Sequence, residues 1–154
     1  LSIGTEATAS VIVELVRSAD WAAGVVRVNG HGGNHDAVAR ALAVLEQEGR
    51  PVLDWWPRVP GGDAHAGRTE TSLLLLLRPD LVRLERAAPG EMAPLAAIAE
   101  RLRAGGVRAV SAGGVLGDPT GASATEGATI LAGLVDDLAS SVADWLRAPS
   151  GVGR

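Results

Sequence analysis

Apolar side chains recur at helical spacing near the start of the chain, where Ala9, Ile12, Val13 and Val16 fall on one face. Thr5 stands where a cap belongs and Gly24 offers a stop, so a helix is predicted from Thr5 to about Trp21. The β-branched run Val25 to Val28 predicts a strand, and it empties into the loop Asn29-Gly30-His31-Gly32-Gly33-Asn34. Val38, Ala41, Leu42 and Leu45 then mark a second helix closed by Gly49. Val52 to Trp55 reads as the next strand. Pro57, Pro60, Gly61 and Gly62 make the next stretch irregular until a helix begins near Thr69 and ends at Pro79.

The pattern continues with a predicted strand at Leu81 to Glu85, a turn at Pro89-Gly90 and a helix from about Pro94 to Ala104, stopped by Gly105-Gly106. A last strand is expected at Val107 to Ser111, leading into Ala112 to Pro119. Ser123 and Glu126 have capping-box spacing and open a final helix whose expected buried stripe is Ile130, Leu134, Leu138, Val142 and Trp145. Residues after Pro149 are expected to fray. Strands alternating with helices at this spacing imply a parallel sheet with helices on both faces, in one domain over residues 1–148 without an internal repeat.

Composition narrows the function classes. The chain has 154 residues, 47% hydrophobic and 21% charged, which is enough to bury a core and excludes a disordered or fibrous chain. A net charge of -4 supplies no basic field, so neither nucleic acid nor an anionic membrane is an expected partner. The longest aliphatic run, Leu73 to Leu77, falls far short of the ~20 residues a membrane helix requires. Leu1 to Thr5 resembles no signal peptide, and a soluble cytoplasmic protein is expected. The absence of Cys removes thiol catalysis, disulfides and iron–sulfur clusters, leaving His, Asp and Glu as metal ligands. All 14 basic residues are Arg, which excludes a Schiff-base or P-loop lysine and suggests a GC-rich bacterial source.

In an open parallel sheet, ligands bind beyond the carboxyl ends of the strands. Three loops qualify: that of His31, that of Asp63, His65 and Glu70, and that of Asp118. The glycines around His31 suit either a tight turn or the close approach of a ligand or metal. A dinucleotide fingerprint is broken because His35 stands where the third glycine belongs. In His65-Ala66-Gly67-Arg68-Thr69-Glu70-Thr71-Ser72 an imidazole on a loop precedes a carboxylate in a first helical turn, where the helix dipole favours the ionised form. That suits a hard metal ligand; the lesser alternative is a residue that only balances the helix terminus. No G-x-S-x-G elbow exists. Asp118 before Pro119 reads as a cap rather than a ligand. Trp55 and Trp56 form either an apolar substrate wall or part of the core.

Three segments, NGHGGN at Asn29 to Asn34, HAGRTETS at His65 to Ser72 and GDPTGASATEG at Gly117 to Gly127, together resemble the creatininase family of metal-dependent amidohydrolases, and the resemblance covers nearly the whole chain. Within that family, DAHAGRTETSL with the double Trp is most similar to the peptidases that trim a modified precursor peptide. The resemblance implies a three-layer α/β/α sandwich with a mostly parallel sheet, assembled as a homo-oligomer, commonly a hexamer. It implies two divalent metal ions (Zn, Mn or Fe) that activate a water to attack a C–N amide bond in a small peptide or cyclic amide. A bound cation lowers the pKa of water from ~15.7 toward ~7. By position, His31 and Glu70 are metal ligands, and His65 is catalytic, steadying the oxyanion or protonating the leaving nitrogen. For Trp55 and Trp56 the substrate-binding wall and the core both remain open readings.

The resemblance also has gaps. Creatininase carries a Glu in the loop where this chain has Gly33, so Glu70 is expected to supply that carboxylate and creatinine is not the expected substrate. Family members have an earlier block, with an E-x-H motif and a bridging Asp, ahead of the stretch matching Leu1 to Thr5. On that comparison the chain is expected to be the carboxyl-terminal portion of the family domain and to hold metal weakly alone. The other reading is a non-catalytic module that keeps the fold.

Overall fold

In this computed structural model, which describes residues 2–148, the first apolar face is used as its spacing requires. Helix α1 (Thr5–Ser18) turns Ala9, Val13 and Val16 onto Ala37, Ala41 and Leu45 of helix α2 (His35–Gln47), with Ile12, Val25 and Val52 packed at the margin. The small side chains of Ala37 and Ala41 let the helices come close. Strands β1 (Val25–Val28) and β2 (Val52–Trp55) pair in parallel, in register from Val25 against Val52 to Val28 against Trp55. A parallel pair needs a crossover between its strands, and α2 is that crossover. These elements belong to a compact unit of residues 2–57 and 136–148.

Residues 58–135 form a second compact unit. It holds helix α3 (Arg68–Leu77), helix α4 (Leu95–Gly105) and the opening turns of helix α5 (Ala124–Arg147), whose remainder groups with the first unit. Its one bridge of sheet type joins His65 to Leu116, antiparallel.

Two expected strands are absent. Leu81 to Glu85 forms no strand: Pro79–Leu81 and Leu84–Arg86 are 3-10 turns, with Leu81 and Leu84 exposed. Alternating Leu, Arg and Glu imitates a strand, but Pro79 starts a turn here and no neighbouring strand offers a hydrogen-bond ladder. Val107 to Ser111 is likewise a 3-10 turn at Val107–Ala109, entered through Gly106 at φ +66° and held where Arg101 donates to the Ala109 carbonyl at 2.7 Å. The sheet therefore has two strands among the described residues, and the loop of Asp118 follows a turn rather than a strand.

Along α5 the expected stripe is correctly phased but only half-buried, and Gly127 is its one buried position. The capping box is half-made. Ser123 Oγ accepts the Glu126 N–H at 3.2 Å, whereas Ser72 Oγ takes the Ser123 N–H at 3.1 Å and the Glu126 carboxylate turns to Arg68 and Ser72. Leu1 and the expected frayed tail, 149–154, lie outside the described residues.

Candidate functional site

In the first unit, β1 runs into the glycine loop, whose shape is set by two asparagines. Buried Asn29 donates from Nδ2 to the His31 carbonyl at 2.9 Å and accepts from Asn34 Nδ2 at 2.9 Å. The backbone adds Asn29 N–H to the Trp55 carbonyl and Asn34 N–H to the His31 carbonyl. The loop is clamped to the end of β2 and its two ends are tied together, which leaves the His31 side chain exposed. The imidazole lies over Gly33: a Cβ there would stand 2.5 Å from His31 Nε2. Glycine at 33 thus gives the ring its room, and a glutamate at that position would have to displace it.

The tryptophans diverge. Trp55 is buried and donates from Nε1 to Asp137 at 2.7 Å. Trp56 is half-buried, with its Nε1 donating to Asp54 at 2.7 Å, the Arg27 guanidinium 5.5 Å from its ring centre and the His35 ring 5.9 Å away. Arg27 and Asp54, opposite one another on the paired strands, form an ion pair beneath it.

In the second unit, HAGRTETS folds back on itself. Leu116 takes the N–H of Ala64 at 3.0 Å and of His65 at 3.2 Å, and returns its own N–H to the His65 carbonyl at 2.8 Å. Ala66 then adopts φ +50°, a left-handed conformation uncommon for a residue with a Cβ. That reversal sets His65 ahead of the first turn of α3. Its Nδ1 lies 3.7 Å from Glu70 Oε2, both side chains are nearly half exposed, and the same Glu70 carboxylate accepts the Ala66 N–H.

Below the pair, Asp63 accepts N–H groups from Thr69 at 3.0 Å and from Arg68. Partial burial would raise its pKa, but the Thr69 and Arg68 amides outweigh it and hold the carboxyl below the usual range. Asp118 accepts from the hydroxyl and amide of Thr120 at 2.7 and 2.9 Å, which lowers its pKa and fits the cap reading.

Of the residues singled out by sequence, His65 and Glu70 are brought together, whereas His31, Trp55 and Trp56 belong to the other unit. The Asn29–Asn34 clamp and the Asp63 cap escaped the sequence reading. The matching Asn at both ends of NGHGGN was the available sign of the first, and an Asp four residues before the N-cap glycine was the sign of the second. Catalytic zinc takes about three protein ligands. Among the described residues no group of three or more His, Asp or Glu converges in a way that could hold a metal. No helix among them is long and apolar enough to cross a membrane.

The mycofactocin precursor peptide peptidase of Mycobacterium tuberculosis (strain CDC 1551 / Oshkosh) is 53% identical over 154 residues, covering 99% of this chain and 61% of that protein. The chain thus spans about three fifths of the length of the curated relatives it matches. A solved structure titled Creatininase Mn superposes with a TM-score of 0.64 at 25% identity, covering 94% of this chain and 64% of the other. A creatininase variant of Zn-Zn type superposes with a TM-score of 0.71 at 22% identity, covering 96% and 67%. The architecture is therefore the α/β fold of the creatininases. Since the family model described as Creatininase: Creatinine amidohydrolase also matches residues 1–142, the chain belongs to the creatininase family.

Proposed function

We propose that the protein hydrolyses a C–N amide bond, as a divalent-metal-dependent peptidase that trims the precursor peptide in mycofactocin maturation. The observation that carries this reading is the His65–Glu70 pair, 3.7 Å apart, inside the HAGRTETS segment through which the chain resembles amidohydrolases. Identity of 53% to a peptidase of that name supports the substrate class. Neighbours titled with Mn and Zn support a divalent ion. The further donors such an ion needs lie outside the pair.

In this reading His65 presents a half-exposed imidazole to the scissile amide. It donates a hydrogen bond to the developing oxyanion or passes a proton to the leaving nitrogen. Glu70, anchored by the Ala66 N–H, serves as a carboxylate ligand, and His31, on its clamped loop, as an imidazole ligand. The half-buried Trp56 face offers an apolar wall to a peptide side chain, while Trp55 is buried away from it against Asp137. Homo-oligomeric assembly, as a hexamer, and a cytoplasmic location belong to the same proposal.

The test is mass spectrometry of the precursor peptide after incubation with the protein, with and without a chelator. Cleavage that stops on chelation and returns with Mn or Zn is expected; cleavage at an unchanged rate without metal contradicts the proposal. Elemental analysis after dialysis should show less retained metal in His31→Ala and in Glu70→Gln. A second reading, a non-catalytic module of the same fold, is favoured by the lack of three converging donors among the described residues. It expects peptide to remain intact at saturating metal.

A further inference from the structure

Helix α3 lacks a cap of its own, since Gly67 occupies its N-cap and has no side chain to offer. Asp63 supplies the missing acceptors from outside the helix, Oδ1 for the Thr69 N–H and Oδ2 for the Arg68 N–H. Its seat is closely fitted. A Cβ at Gly67 would overlap Asp63 Oδ2, and a Cβ at Gly117 would fall 2.5 Å from Asp63 Cβ, so the carboxylate fills space that two glycines leave open. Gly117 follows Leu116, the residue that pairs with the His65 backbone, and α3 is the helix that carries Glu70. Asp63 therefore braces both supports of the His65–Glu70 pair while hydrogen-bonding to neither member.

We infer that Asp63 is a positioning residue that fixes His65 and Glu70 relative to one another. The left-handed Ala66 between them is held through its N–H by the Glu70 carboxylate, so the turn persists only while the start of α3 stays in place. Without the cap, the first turn of α3 loosens, Ala66 relaxes towards an ordinary conformation, and His65 leaves Glu70. The catalytic meaning of this role rests on the proposed function; the structural role does not.

The experiment compares the full chain with Asp63→Ala and Asp63→Asn by proton–nitrogen NMR. In Asp63→Ala the downfield shift of the Thr69 and Arg68 amides should be lost, and the Ala66 amide and His65 ring signals should move, while Val13 and Leu45 signals stay fixed. Asp63→Asn retains an acceptor and should bring those signals part of the way back. Ala66 and His65 signals that coincide with wild type in a folded Asp63→Ala chain overturn the inference. Should Asp63→Ala fail to fold, unchanged Ala66 and His65 signals in Asp63→Asn, with the Thr69 and Arg68 amides displaced, overturn it equally. In peptide cleavage, kcat should fall about tenfold to a hundredfold with KM little changed, as expected when reacting groups are misplaced rather than removed. A wild-type protein that cleaves no peptide would sink the proposed function and leave the NMR comparison intact.

Discussion

The unit built on α1, α2 and the strand pair buries Ala9, Val13, Val16, Ala37, Val38, Ala41, Leu45 and Trp55, whereas in residues 58–135 the buried hydrophobic side chains are Ile98 and Leu116, joined by Pro119. What occupies the interior of the second unit is largely polar or small: Ser72, Ser111, Gly67 and Gly127. Ser72 Oγ donates to Glu126 and accepts from the Ser123 N–H, while Asp63 caps α3 across a turn. The first unit is stabilised by apolar area removed from water, which tolerates small shifts. The second depends on directional hydrogen bonds and on glycines that let backbones touch, which do not. The second kind of construction is what holds the His65 loop beside Glu70.

That contrast can be broken in order of effect. Leu45→Ala removes a side chain only 1% exposed at the α1–α2 contact. It should cost about 2–5 kcal/mol, read as a lower urea midpoint. A smaller loss would mean that the first core is looser than its burial implies. Gly127→Ala should cost about 1–3 kcal/mol by overpacking. Its Cβ would collide with the Ser72 carbonyl oxygen, so α5 and α3 must part. A neutral result would show that the second unit adapts as an apolar core does.

Asp63→Ala should cost about 0.5–2 kcal/mol through the lost cap. The effect also has a pH signature. Because the folded carboxyl is held below its usual pKa, its stabilisation is fully present above the unfolded value of about 3.9 and is lost as pH falls through the lower folded value. The urea-midpoint difference between wild type and Asp63→Ala should therefore be constant from about pH 7 to 5 and shrink below about pH 4. At the small end, Arg78→Ala breaks an exposed ion pair with Asp80 and should leave the midpoint unchanged within error.

How far the fold was legible in the sequence depends on the same division. The positions Ala9, Val13, Val16, Ala37, Ala41 and Leu45 carry a helical period because they pack on one face, so spacing alone revealed them. In the second unit the period misleads. Leu81 to Glu85 and Val107 to Ser111 have strand-like composition, yet their conformations are governed by Pro79, Gly106 and single hydrogen bonds that no periodicity records. The motif residues His31, His65 and Glu70 stand out in the sequence by their unusual local wording, and the fold brings His65 and Glu70 together. The residues that brace their loops, Asn29, Asn34 and Asp63, do not stand out, because each bonds to a group brought near only after the chain reverses.

The central claim, that His65 acts on the scissile amide of a precursor peptide, is tested most directly by the rate of peptide cleavage in metal-loaded wild-type protein and in His65→Ala, followed by mass spectrometry. The account predicts a loss of about a hundredfold to ten-thousandfold, the range of a general acid–base group. A His65→Ala protein that cleaves the peptide at the wild-type rate would contradict it.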